Sequence, residues 1–175
     1  MVKLIQNYIL YYICTVKELI FIRHAKSDWD DPSLRDIDRP LSPRGLKDAP
    51  IMATKLKSII DSVDLIVTSP AKRAIETAEY FGKIFNIDYN LFEIKHDLYE
   101  AYADEILAEV RLLDDNLSRV MFFGHNPGYT YLVNMFSKEF IENISTCGIF
   151  RIVSKAEKWR ELDTSNSKLD FYIKP

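Results

Sequence analysis

Three short, unbroken apolar runs, Leu19-Ile20-Phe21-Ile22, Leu65-Ile66-Val67 and Val120-Met121-Phe122-Phe123, constrain the fold of this chain more than any other feature. A strand with one face in water alternates apolar and polar residues, whereas a run that is apolar at every position has both faces covered. That is the condition of strands in a mostly parallel sheet lying between two layers of helix. The text between the runs supplies the helices. Met52, Leu56, Ile59 and Ile60 recur on one helical face, as do Ala74, Ala78, Phe81 and Phe85, then Ile106, Val110 and Leu113, then Tyr129, Leu132, Val133 and Phe136. Ser42-Pro43 and Ser69-Pro70 each pair a capping hydroxyl with a proline at the first helical position, where a missing N–H is no loss, and so predict two helix starts. Pro50 predicts a kink or a break near Asp48.

After about Glu142 the pattern changes. Cys147 to Val153, Trp159 to Leu162 and Leu169 to Tyr172 read as short strands joined by polar turns, an antiparallel edge on the parallel sheet. The fold expected is therefore α/β, a three-layer α/β/α sandwich. The 175 residues suffice for one core, and no repeat or linker divides them. One domain is expected over residues 18–175, preceded by an N-terminal extension, residues 1–17. Within that extension Lys3 and the apolar run Tyr8 to Val16 imitate a signal peptide. The run falls well short of the roughly 20 residues that cross a bilayer, and no small-x-small site follows, so it reads as an extension or an extra edge strand. Cys14 and Cys147 form no CxxC or Cys/His cluster, which points to reduced thiols and a cytoplasmic location. A net charge of -3 gives no basic field for nucleic acid.

In open α/β sheets ligands bind outside the carboxyl ends of the strands. Arg23-His24 follows the first run, Ser69 and Arg73 follow the second, and Gly124-His125 follows the third. A single histidine after a strand is more often structural. Two histidines and two arginines converging at strand ends make a compact cationic site, and guanidinium forks match phosphate oxygens.

These residues also carry a resemblance. Arg23-His24-Ala25, Leu41-Ser42-Pro43-Arg44-Gly45, Ser69 to Thr77 and Gly124-His125-Asn126-Pro127 resemble, in order and spacing, the signatures of the histidine phosphatase superfamily, which includes the phosphoglycerate mutases. The short chain and Arg23 to Trp29 most resemble its phosphohistidine phosphatase branch. The superfamily usually has glycine where Ala25 stands, which a negative φ would tolerate. The resemblance implies a phosphoglycerate mutase-like fold with His24 as nucleophile and phosphohistidine carrier. It also implies that Arg23, Arg73 and His125 hold the phosphoryl oxygens and that no metal or other cofactor is needed. Phosphoryl transfer asks a protein mainly for a positioned nucleophile and fixed positive charge, which this set supplies.

Other residues are less determined. The resemblance implies a proton-donating carboxylate on a loop before a helix, where Leu98-Tyr99-Glu100 lies, which makes Glu100 the candidate for protonating a leaving group; it reads equally as a carboxylate at the start of a helix near Tyr102, with Asp97 as the substitute. Lys26, Ser27 and Asn126 are candidates for substrate binding, with a solvated loop as the alternative for the first two. His96 reads as a surface residue. The spacing of Asp28, Asp30, Asp31, Asp36 and Asp38 fits no calcium loop, so no metal site is expected. The partner expected is a phosphorylated protein, such as a histidine phosphotransfer domain, with a small phosphate ester as the second reading and a non-catalytic phospho-ligand module as the third.

Overall fold

The structure, a computed structural model, describes residues 16–175. The extension lies outside the described residues but for its last two positions. Lys17 already belongs to the first strand, β1 (Lys17–Arg23). The elements that follow are α1 (Pro43–Lys57), β2 (Leu65–Thr68), α2 (Lys72–Phe85), β3 (Phe92–Ile94), α3 (Ala103–Arg111), β4 (Arg119–Gly124), α4 (Gly128–Phe136), β5 (Ile149–Ser154) and β6 (Ser167–Ile173). They build one six-stranded sheet in the order β3-β2-β4-β1-β5-β6. The first four are parallel neighbours, while β5 and β6 add on antiparallel beside β1.

The unbroken apolar runs are explained by the two cores. Leu19 and Phe21 of β1, with Val120 and Phe122 of β4, pack under α3, α4 and Trp159. Their neighbours Ile20, Ile22, Met121 and Phe123 face the opposite way, onto α1 and α2. With residue period 2, both sets must be apolar. Burial of all eight side chains is essentially complete.

Local details depart from the sequence reading in four places. Pro50 lies inside α1, which is not split. The carbonyl left without a donor is that of Leu46, a residue 46% exposed, so water can take the bond. Ser42 caps α1 as expected, accepting from Gly45 N at 3.2 Å, but Ser69 does not cap α2. That helix starts two residues after Pro70 with Ala71 as its uncapped N-cap, because the Ser69 hydroxyl is engaged elsewhere. Trp159 to Leu162 is not a strand: residues 159–161 form a single turn of 3-10 helix. The Trp159 indole is fully buried, its Nε1–H donates to Asp114 O, and Lys17 Nζ sits 4.9 Å from its ring. Finally, the edge strand β3 was not anticipated.

Candidate active site

The topology sets three parallel strand ends side by side. β2, β4 and β1 are adjacent, and the ladder continues one residue past them: His24 N donates to Gly124 O at 3.0 Å and Ser69 N to Phe123 O at 3.0 Å. On the other flank Cys147 N donates to both Arg23 O and His24 O. The backbone carrying His24 is thus pinned from both sides, and the Ala25 amide donates to Thr77 Oγ1 at 3.0 Å. Ala25 is buried, and its φ is not among the positive ones, so its methyl group is accommodated without backbone strain.

The imidazole of His24 is oriented by its own neighbour. Its Nδ1 lies 2.7 Å from Ala25 O. A carbonyl can only accept, so Nδ1 carries the proton and Nε2 presents a lone pair. Arg73 Nε points at that nitrogen from 3.4 Å. The second histidine is oriented by Ser69, whose Oγ lies 2.8 Å from His125 Nε2. Ser69 Oγ also accepts from Ala71 N, so the hydroxyl ties His125 to the start of α2. Among the described residues His125 Nδ1 is buried without a partner, as is Arg23 Nε. Arg23 is otherwise held by its Nη1, which donates to Ile144 O at 2.6 Å. The two imidazoles face each other with centroids 5.0 Å apart.

Electrostatics favours neutral rings. His24 and His125 are 8% and 7% exposed. Burial, followed by the charges of Arg73 and Arg23, pushes His24 down to about 3 against the Ala25 hydrogen bond. Burial, then His24 and Arg73, does the same for His125, also to about 3. The arginine charges therefore assist, but desolvation is the larger cause.

This has a consequence for stability. The unfolded chain takes up a proton at each histidine below about pH 6.5, whereas the folded one resists until about 3, so folding stability is full above 6.5 and falls on acidification through that window. Each histidine contributes a slope of up to roughly 1.4 kcal/mol per pH unit. Thermal melts from pH 7 to pH 5 are expected to show a declining Tm, with a shallower decline in His125→Asn. Equal slopes in the two proteins would contradict the buried neutral state.

Residues 19–122 match the model of the histidine phosphatase superfamily (branch 1). The chain belongs to the histidine phosphatase superfamily. His125 lies just beyond the matched span, so its place in the site comes from the geometry above. An uncharacterised chloroplastic protein of Arabidopsis thaliana is 33% identical over 153 residues, which cover 83% of this chain and 70% of that protein. Among solved structures, a protein of Nakamurella multipartitia assigned as the phosphohistidine phosphatase SixA superposes with a TM-score of 0.79 at 24% identity, covering 91% of this chain and 96% of that one. The protein histidine phosphatase SixA complexed with tungstate gives 0.73 at 23% identity, covering 89% and 96%. At these identities the likeness establishes a shared fold.

Within this histidine phosphatase fold the four strand-end residues come together. The other candidates do not all join them. The Ser27 hydroxyl accepts from Arg39 Nη2, and the Asn126 amide donates to Asn143 Oδ1 and Ile144 O. Both side chains are therefore engaged in the site's walls. The Lys26 side chain is exposed, while its backbone O receives both N–H and O–H of Ser42. Glu100 is exposed and adopts a left-handed φ of 57°, a conformation uncommon outside glycine. His96 and Asp97 lie exposed in a turn of 3-10 helix. The aspartate run is distributed among local partners: Asp28 and Asp31 accept from nearby backbone amides, Asp38 pairs with Arg35, and Asp36 reaches Arg73. Among the described residues no cluster of histidine, cysteine and carboxylate side chains could hold a metal ion. Nor is any described helix long and apolar enough to cross a membrane.

The sequence reading put Ser69 among the strand-end candidates but gave its hydroxyl only a capping role, and it gave Tyr99 no role. The ring of Tyr99 stands edge-on to His125 at 5.7 Å, and its hydroxyl donates to Asp36 Oδ2. Position directly after a buried strand had marked Ser69; Tyr99 carried no such signal.

Proposed function

We propose that this chain is a phosphatase that attacks phosphoryl groups with His24 Nε2 and passes through a phosphohistidine on that residue. The observation that carries this reading is the forced tautomer. A proton held on Nδ1 by Ala25 O leaves a neutral, buried imidazole with its lone pair aimed at Arg73. Two nitrogens at the site, Arg23 Nε and His125 Nδ1, are buried with no partner among the described residues; buried polar atoms are rarely left so in a folded protein, and the Arg23 N–H is a donor that a phosphoryl oxygen would satisfy. In the first step the Nε2 lone pair bonds to phosphorus while the bond to the leaving group breaks, its electron pair departing with that group. In the second, water attacks the same phosphorus, releases phosphate and restores the lone pair. Arg23, Arg73 and His125 neutralise the charge on the phosphoryl oxygens in both steps.

The substrate proposed is phosphohistidine on a signalling protein, such as a histidine phosphotransfer domain, in the cytoplasm. Two features support it over a small ester. The connections bordering the site, residues 24–42 and 95–102, carry no more regular structure than three-residue turns of helix and the isolated Ser27–Leu41 bridge, so no helical or sheet segment within them is built as a lid against a bulky phosphoprotein. The Glu100 carboxylate, which an ester with a poor leaving group would need as its acid, is exposed to solvent. A labile phosphoramidate makes no such demand.

Phosphate release should therefore be faster from a phosphohistidine-bearing protein than from a simple aryl phosphate. Glu100→Gln is expected to change the faster rate by less than about threefold, within what a lost exposed charge contributes. Preference for the ester, with its turnover abolished in Glu100→Gln, would instead make the chain a general phosphomonoesterase.

A further inference from the structure

The guanidinium of Arg73 is held at both ends. Its Nε faces His24, while the far end belongs to one residue: Nη1 donates to the backbone O of Asp36 at 2.6 Å and Nη2 to the Asp36 carboxylate at 2.8 Å. The same Oδ2 accepts from the Tyr99 hydroxyl at 2.8 Å, and Oδ1 accepts from Arg39 Nη1 at 3.1 Å. Arg39 in turn is 5% exposed. It donates from Nε to Asp28 O and from Nη2 to Ser27 Oγ, and it lies under the Trp29 ring. A chain of alternating charge thus runs from Arg39 through Asp36 to Arg73 and ends at the nucleophile.

We propose that Asp36 is a positioning residue for phosphoryl transfer: it fixes the far end of the Arg73 guanidinium so that the Nε edge is presented to a phosphoryl group at His24. This rests on His24 being the nucleophile. A long arginine side chain left to itself samples many rotamers, and holding it costs entropy at the moment of binding. Two hydrogen bonds from one residue, one of them charge-assisted, fix the plane and azimuth of the guanidinium beforehand. Arg39, Asp36 and Arg73 together leave one net positive charge, at the edge that faces His24, so the carboxylate does not cancel the attraction for an anion. Asp36 is poorly suited to donate a proton. Against burial, which acts to raise it, the hydrogen bonds from Tyr99 and Arg73 keep its carboxyl below the usual range.

The test uses the full chain and tungstate as an oxyanion probe, with calorimetry giving both affinity and the number of competent sites. Asp36→Asn keeps the backbone contact and removes the charge. It is expected to weaken tungstate on the order of tenfold and to lower turnover per competent site by about 10- to 100-fold, the range for a lost charge-assisted hydrogen bond, with site number unchanged. Tyr99→Phe, which frees one side of the carboxylate and disturbs folding least, should shift both quantities the same way by less. Tighter tungstate binding in Asp36→Asn would overturn the proposal by making Asp36 a competitor for Arg73. Fewer sites at unchanged affinity and turnover per site would reduce it to a structural role and overturn it equally, as would no change in either variant. Wild-type protein that binds tungstate but hydrolyses no phosphorylated substrate would refute the phosphatase reading alone, since the Asp36 effect on affinity is read without turnover. Failure of the wild type to bind tungstate would refute both.

Discussion

Replacement of His24 by alanine is expected to lower hydrolysis of every phosphorylated substrate by at least about 10⁴-fold, because the variant loses the covalent route and retains only the oxyanion grip. Arg23, Arg73 and His125 come from the end of β1, the first turn of α2 and the residue after β4, and each has contacts that do not pass through His24: Arg23 with Ile144, Arg73 with Asp36, His125 with Ser69. Oxyanion binding should therefore survive the substitution even as turnover is lost. The measurement pairs steady-state phosphate release with acid-stable versus acid-labile phosphate on the trapped enzyme. Wild type should carry acid-labile, base-stable label, and His24→Ala none. Turnover within about tenfold of wild type in the variant would remove His24 from the nucleophile's role.

The second large effect is expected from Gly45→Ala, a change far smaller in chemistry. A Cβ at position 45 would lie 2.2 Å from Lys26 O and 3.1 Å from both Lys26 C and Lys26 N. All three atoms are backbone, so no side chain can swing aside. Lys26 O is also the acceptor for Ser42 N and Oγ, the pair that ties the start of α1 to the nucleophile loop. Relief requires α1 to retreat from that loop, with loss of those bonds. A destabilisation of about 3 kcal/mol follows from the usual cost of overpacking, equivalent to roughly 6–12 °C in Tm for a chain of this size. Because Lys26 is two residues from His24, turnover should drop as well. A Gly45→Ala protein with wild-type Tm would mean that the helix and loop yield far more readily than their hydrogen bonds indicate.

How much of this was legible beforehand depended on whether burial alone fixed the pattern. The strands β1, β2 and β4 were readable because both faces are covered, which forces apolar residues at successive positions. The three-residue β3 has only half-buried and exposed positions, so nothing in its composition separates it from a loop. Trp159 misled in the opposite sense. An aromatic flanked by polar residues suggested a strand, whereas it is a core residue fixed by Lys17 and the loop at Asp114 and Asp115, long-range partners that no local pattern reports. The site divides along the same line. Arg23, His24, Arg73 and His125 sit at or one turn beyond strand ends, where topology alone gathers them. Asp36 and Tyr99 arrive on loops whose paths are set by tertiary contacts, so an aspartate among five in a loop offered no reason to single it out. Glu100, chosen by its place on a loop before a helix, is exposed and has a left-handed φ of 57° that no local pattern announced.

The hydrogen bond from His24 Nδ1 to Ala25 O also decides a matter of regiochemistry. Imidazole offers two nitrogens to an electrophile, and a free histidine can be phosphorylated on either, giving two isomers. Here the ring cannot turn over without breaking a 2.7 Å bond inside a buried site. Only the nitrogen remote from the main chain is open to attack, and the proposed phosphoenzyme is accordingly a single isomer, the one substituted at Nε2.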